Sequence, residues 1–359
     1  MKVTVSDLRR HAIASSLFPE TTLRRAIGRI GFIQADPIRS PARAQDLILR
    51  HRVTSYRAGD LDRNYRALKL EEDYLYAYGF MPMGTWQLLH PRKKRRALTR
   101  AEQKVLDIVA NQKHLHPREL EAHLGKSLEI NAWGGSSKST TRTLERLHYM
   151  GLMRIAGRVN GIKIYQRATI THEPLDPDER LRRLVLLIAS ILTPLPESSL
   201  RAAVQHLRYS APDLAGRKGA VASLLKSGAL ESTVADGVRY VWPCGRLKRS
   251  EPEEVVRFLA PFDPLVWDRR RFEHFWGWPY RFEAYTPPAK RKLGYYALPL
   301  LWRADVIGWV NVLGRGDELT INPGFVSGQP PSEKAFHEAF TAESERLRYF
   351  LSAPMDLNP

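Results

Sequence analysis

The chain reads as an α+β protein: tandem winged-helix (helix-turn-helix) domains followed by a C-terminal β-rich domain. Three observations predict this class. A block of helical segments closed by a hairpin recurs at a spacing of about 70 residues, the size and order of a winged helix. The hairpins are marked by Asn160-Gly161 and Asp236-Gly237, pairs that tolerate the left-handed backbone of a tight β-turn. After Pro243 the sequence changes to aromatic- and proline-rich alternating runs, which read as short strands.

Taken in order, residues 1–95 are expected to hold a first winged helix. VSDLRRHAIASSLF (5–18) and TTLRRAIGRIGF (21–32) begin it, and its later half runs through ARAQDLILRHRV. Residues 96–173 form the second copy. AEQKVLDIVANQ (101–112) has apolar residues at helical spacing, and PRELEAHLG (117–125) is a short helix with Pro117 in its first turn and Gly125 as a stop. SSKSTTRTLERLHYMG (136–151) is a third helix, and LMRIAGRVNGIKIYQRATI (152–170) is the hairpin. Residues 174–245 repeat the order, with helices at 176–192, 196–207 and 216–229 and a hairpin at 230–242. Residues 246–359 are the C-terminal domain: a small antiparallel sheet or partial barrel over 258–313, then an amphipathic helix over 328–351. A period this long, repeated so few times, is not that of a solenoid.

Composition narrows the function. The 359 residues carry 56 Lys and Arg against 38 Asp and Glu, a net charge of +18, mostly from arginine. Such a field favours a polyanion, nucleic acid first and an anionic membrane or acidic partner second. A hydrophobic content of 43% excludes a mainly disordered chain. Cys244 is the only cysteine, so an intrachain disulfide, a cysteine-rich zinc site and an iron–sulfur cluster are excluded. His114, His116 and His123 do not follow a known zinc spacing and read as structural or solvated. The N-terminal segment lacks the apolar core of a signal peptide, and LVLLIASIL (184–192) is too short to span a bilayer. A cytoplasmic, nucleoid-associated protein without membrane contact is expected.

One segment asks for explanation. In GFIQADP (31–37) a Gln and an Asp stand two apart against a proline. Pro37 biases Asp36 towards extended geometry. With Gln34 also extended, the two side chains share one side of the strand. A carboxamide and a carboxylate so placed could hold a water, with Asp36 taking its proton or facing a developing cation and Gln34 orienting it. The plain alternative is that Asp36 caps the following helix and Gln34 serves nearby backbone. From spacing alone that alternative is the stronger.

Larger matches change the balance. GFIQADPIRSPARAQDLILRHRV followed by FMPMGTW, the SKSTTRTLERLHYMGLMRIAGRVNGIKIYQRA unit, and FLAPFDPLVWDRRRFEHFWGWPYRFEAYTPPAKRKLGYYALPLL together resemble the winged-helix DNA glycosylases. This is the bacterial YcaQ/AlkZ-type group, which unhooks interstrand crosslinks and excises bulky N-alkylpurines. The resemblance spans nearly the whole chain, and PFDPLVWDRRR and PPAKRKLGYYALP are its most specific pieces. It implies a concave basic face for duplex DNA and a catalytic Gln-x-Asp pair at Gln34 and Asp36. The chain departs from the family pattern at Gln45, where a histidine is frequent, and at Tyr74 and Tyr76, where a tryptophan and a histidine are frequent. Those positions would bear on substrate range were they to line the cleft.

The activity implied is hydrolysis of the N-glycosidic bond of alkylated purines by a metal-independent, monofunctional enzyme, with no cofactor. No lysine adjoins the motif in sequence to form a Schiff base. Candidate DNA contacts are Arg39 and Arg43 beside the motif; Lys138, Thr140, Thr141 and Arg142 on the third helix of the second copy; Arg158, Asn160 and Lys163 on its wing; and Arg269, Arg270 and Arg271. Each has a bland counterpart as helix-surface charge or domain bracing. Trp267, Trp276 and Trp278 read as core rather than base-stacking platforms. The rival function is a non-enzymatic DNA-binding regulator, which explains the charge and repeats but not Gln34-Ala35-Asp36-Pro37. A third is an inactive partner in a repair assembly. Three units in one chain can clasp double-stranded DNA as a monomer, whereas a regulator is usually a symmetric dimer.

Overall fold

The computed structural model describes residues 3–92, 97–112, 114–124, 128–130, 136–159, 161–168, 175–245, 247, 251–314 and 319–352. Asn160 lies outside the described residues, as does the side chain of Lys138. The chain is a mixture of helices and antiparallel sheets, as an α+β class requires.

The first stretch runs α1 (Val5–Ser16), α2 (Leu23–Ile30), β1 (Ile33–Gln34), α3 (Ala44–Leu49), α4 (Asp60–Leu68), β2 (Leu70–Tyr74), β3 (Tyr78–Pro82) and α5 (Met83–Leu88). Thr4 and Asp7 form a reciprocal capping box that starts α1. Thr22 caps α2, and Gly31 ends it in the left-handed region at φ 79°. That turn delivers the chain directly into β1. The three strands order as β1-β3-β2.

The second stretch holds α6 (Arg100–Asn111), α7 (Pro117–Leu124), β4 (Leu128–Ile130), β5 (Ser136–Lys138), α8 (Ser139–Tyr149), β6 (Met153–Val159) and β7 (Ile162–Arg167). Residues 136–138, expected to open a helix, instead pair as β5 with β4. Serine competes for backbone hydrogen bonds and is a weak helix former, so the helix starts only at Ser139. The third stretch is α9 (Pro177–Ile191), β8 (Leu195–Pro196), α10 (Glu197–Gln205), α11 (Leu207–Ser210), α12 (Arg217–Lys226), β9 (Leu230–Ala235) and β10 (Val238–Pro243). Its hairpin turns at Asp236 and Gly237, both at positive φ.

The C-terminal stretch contains β11 (Val256–Phe258), α13 (Pro264–Trp267), α14 (Arg269–Trp276), β12 (Leu298–Trp302), β13 (Asp305–Leu313), β14 (Thr320–Phe325) and α15 (Lys334–Leu351). The sheet is antiparallel in the order β11-β12-β13-β14. The first half of the segment expected to be sheet is therefore helical, because Asp263 and Asp268 each cap a helix start.

The hydrophobic cores cross between these stretches. One cluster joins Ile27, Leu47 and Phe80 to Leu144, Tyr165, Phe258, Leu298 and Phe350. A second joins Phe32, Tyr76 and Trp86 to the helices of the third stretch. A third packs Leu8, Ala12 and Ile13 of α1 against Phe272, Phe275 and Trp278. Thus α1 docks on the C-terminal helices rather than on the core of α2 to α4, and the motif region is held from several sides.

Candidate active site

The site is built on β1. Ile33 pairs with Phe80 and Gln34 with Gly79 in antiparallel register, and the Ala35 amide donates to the Tyr78 carbonyl at 2.9 Å. The backbone is thus extended through Ala35, and the strand period carries Asp36 to the side of Gln34. Gly79 makes this approach possible. A Cβ there would stand 2.3 Å from the Ile33 carbonyl and 2.6 Å from the Phe32 ring, closer than non-bonded atoms can sit.

After Pro37 the chain does not enter a helix. Asp36 accepts the Ile38 amide on Oδ1 at 2.9 Å, a local turn in which an aspartate serves the backbone two residues on. No other hydrogen bond to its carboxylate occurs among the described residues, so Oδ2 is available. Asp36 is half-buried, and loss of water contact raises its pKa, with the Ile38 amide opposing. Gln34 presents a buried Oε1 that meets no donor. The strand alternation thus puts a partly desolvated carboxylate and an unmet carboxamide oxygen on one side of the chain, an arrangement suited to holding and deprotonating one water.

The expected DNA contacts divide into groups. Arg39 is exposed. Arg43 is ion-paired with Asp62, and both Arg39 and Arg43 approach the hairpin tip, where a Cβ on Gly161 would lie 3.8 and 3.9 Å from their guanidinium nitrogens. The hairpin β6–β7 does not project freely. Arg158 is ion-paired with the fully buried Glu72, Arg154 with the fully buried Glu71, and the Lys163 ammonium sits 4.5 Å from the centre of the Tyr78 ring. Arg158 and Lys163 are therefore corrected from groove contacts to fasteners between this hairpin and β2–β3. Thr140 is also corrected: it is buried, its hydroxyl without a partner among the described residues. Thr141 and Arg142 are half-exposed at the start of α8.

The DRRR segment separates in the same way. Arg270 is exposed. Arg271 is buried, donating to the carbonyls of Leu192, Pro194, Pro264 and Leu265. These bonds all come from its two terminal nitrogens, so it ties the third stretch to the C-terminal helices and does not face DNA. Arg269 donates to Val266 and Pro261 at 2.6 and 2.9 Å and stacks over Tyr280, a bracing role as well.

The sequence reading missed another set. Arg50, His51 and Arg52 follow α3 and are all buried. Arg50 pairs with buried Glu343 at 2.8 Å, His51 meets the Phe258 carbonyl at 2.9 Å, and Arg52 makes a two-pronged pair with Asp263 at 2.8 and 3.0 Å. Burial first, then the Arg50 charge, holds the His51 pKa well below its ordinary value, so the ring is neutral. Part of the basic excess is thus internal. Among the three departures, Tyr76 is buried between Phe32 and Trp267, with ring centres 5.0 and 4.9 Å away. It fills core rather than an open cleft. Tyr74 contacts His206 at 3.1 Å. Gln45 is buried on α3, which packs beside β1, and its Oε1 is unpartnered. Among the described residues no group of three or more metal-ligating side chains converges, and no helix is long and apolar enough to cross a membrane.

A family model described as "DNA glycosylase AlkZ-like" matches residues 27–350. The fold is similar to that of the Streptomyces sahachiroi DNA glycosylase AlkZ, with a TM-score of 0.63 and 14% identity, covering 98% of this chain and 97% of that one.

Proposed function

The chain belongs to the AlkZ-like DNA glycosylase family, and on that premise we propose that it hydrolyses the N-glycosidic bond of N7-alkylated purines in duplex DNA, using Asp36 and Gln34. The carrying observation is the state of the pair. Asp36 has one oxygen held by the Ile38 amide and the other open among the described residues, and two residues before it on the same side of the strand stands a buried carboxamide oxygen with no donor among those residues. These unmet groups are those a bound water would satisfy.

Alkylation at N7 leaves the guanine positively charged, so the base departs neutral and needs no strong acid. The sugar becomes oxocarbenium-like, and the site must supply negative potential and a placed nucleophile. Asp36 provides the potential and receives the proton from water, and Gln34 fixes that water. Partial desolvation favours both roles, since it raises the basicity of the carboxylate and strengthens its field. Hydrolysis rather than strand cleavage fits the placement of Lys163. It stands over Tyr78, which shares the face of Phe80 and Ile33, opposite to Gln34.

The segments α6 to β7 and α9 to β10 are read as winged helices that, with the first stretch, grip double-stranded DNA as a monomer. Arg39, Thr141, Arg142 and Arg270 remain as phosphate contacts on the described surface, with Lys138 and Asn160 outside it. Bulky adducts and interstrand crosslinks meet the same chemical requirement as a methyl group, provided the damaged base stays partly outside a closed pocket.

The test is release of N7-methylguanine from a duplex oligonucleotide in EDTA under single-turnover conditions. Asp36→Asn is expected to lower the rate on the order of a hundred-fold or more with DNA affinity retained, and Gln34→Ala to lower it less. Unchanged release by the Asp36 variant would remove the pair from the mechanism. Binding without release of methylated, bulky or crosslinked purines would leave a DNA-binding protein.

A further inference from the structure

The C-terminal stretch carries a buried polar group without a partner among the described residues. Tyr296 is the residue before the Ala-Leu-Pro run that leads into β12, and it is buried. Its hydroxyl has no hydrogen-bond partner, and among the described residues it is the one tyrosine hydroxyl that is fully buried and unbonded. Neighbouring tyrosines show what is usual. Tyr280 donates to the Ala297 carbonyl at 2.7 Å, Tyr56 to Asp46 at 2.7 Å and Tyr78 to Glu72 at 2.9 Å. An orphaned buried hydroxyl is destabilising and calls for an explanation.

Its surroundings point to Asp36. The Tyr296 ring stands edge-on to Phe282, with centres 5.2 Å apart at 89°, which limits its rotation. Ala35 and Ile38, flanking Asp36 in the motif, pack with Phe282 against the core cluster that contains Tyr296. Burial, and after it the Asp36 charge ahead of Tyr280, Tyr285 and Tyr295, raises the Tyr296 pKa. The phenol is therefore protonated and a donor at neutral pH. The Asp36 charge thus reaches the phenol, and no hydrogen bond joins the two.

From the orphaned hydroxyl, in a core that Ala35 and Ile38 of the motif also pack against, we infer that Tyr296 is a water-positioning group of the reaction, donating its hydrogen bond to the oxygen of the nucleophilic water. The water directs its protons towards Asp36 and Gln34 Oε1, accepts from Tyr296, and keeps one lone pair for the anomeric carbon. In the reaction that lone pair forms the new C1′–O bond. The C1′–N9 pair leaves with the base and cancels its positive charge, one water proton passes to Asp36, and Tyr296 keeps its own. This inference rests on the reading of Asp36 and Gln34 as the catalytic pair.

The experiment compares wild type, Tyr296→Phe, Asp36→Asn and the double variant. It measures single-turnover release of N7-methylguanine, affinity for the same duplex and the thermal midpoint. Tyr296→Phe is expected to slow release about ten-fold or more with affinity unchanged. Its midpoint should be equal to wild type or higher, because an unsatisfied buried group has been removed. The double variant should be no slower than Asp36→Asn alone, as groups acting on one water are not additive. Wild-type rates in Tyr296→Phe overturn the inference while leaving Asp36 in place. A rate loss accompanied by a lower midpoint or weaker DNA binding also overturns it, in favour of a packing role. Full activity in Asp36→Asn, or no release by wild type, overturns the pair itself and this inference with it.

Discussion

Asp263→Asn tests how the two ends of the chain are joined around the site. Asp263 and Arg52 are both fully buried and meet through two hydrogen bonds of 2.8 and 3.0 Å. The substitution keeps the shape and the side-chain oxygen that accepts the Leu265 amide at 3.0 Å, so the helix cap of α13 can persist. What it removes is charge. The guanidinium cannot deprotonate, and its remaining acceptors, the Ser16 carbonyl and hydroxyl and the Ile48 carbonyl, are neutral. Leaving one member of such a pair uncompensated costs about 3–5 kcal/mol. For a chain of this size that is a fall of about 5–10 °C in the thermal midpoint. Urea unfolding at pH 7 measures it, and an Arg52→Met, Asp263→Leu double variant should recover most of the loss, since a buried ion pair can be replaced by packed apolar groups. A loss below about 1 kcal/mol for Asp263→Asn, or a double variant no better than the single, would refute the reasoning.

Two further outcomes follow from the same structure. Gly79→Ala, which leaves the Gln34 and Asp36 side chains unaltered, should displace β1, cost about 1–3 kcal/mol and reduce N7-methylguanine release; a variant with wild-type stability and rate would show that the contact with Ile33 is not tight. Glu71 is fully buried, and burial, opposed by Arg154, raises its pKa from 4.5 to about 7. Between those values the native state holds a proton that the unfolded chain has released, so stability from this group is full below pH 4.5 and is lost as pH rises through about 7. Urea midpoints across that window should fall for wild type and be flatter for Glu71→Gln, and parallel curves would reject the shift.

Residues acting over a few positions were legible in the sequence. Asp236-Gly237 placed a hairpin turn because two successive positive-φ residues are a local demand. The helix expected within TTLRRAIGRIGF is found as α2, started by Thr22 and ended by Gly31 through backbone groups within one helical turn. The Gln-x-Asp spacing was readable for the same reason, since an extended backbone decides which side chains share a side. The family too was readable, because long ordered runs such as PFDPLVWDRRR carry it.

Which basic residues face outward was not readable. Arginines look alike in sequence, and each is assigned by its partner. Arg52 finds Asp263 211 residues away and Arg50 finds Glu343 293 residues away, while Arg271 meets backbone carbonyls from another stretch. Hydrophobic periodicity cannot foretell such burial, because a buried charge is tolerated only where distant groups satisfy it. Tyr296 was missed likewise: beside Tyr295 in LGYYALP it reads as one more strand aromatic, and only the fold leaves its hydroxyl buried without a partner among the described residues. The sequence by itself determined most helices of the second and third stretches, the Asp236-Gly237 turn and the Gln-x-Asp spacing, whose causes lie within a few residues. The tertiary structure alone decided what surrounds that pair and which charges are left for DNA, because those depend on groups that only folding brings together.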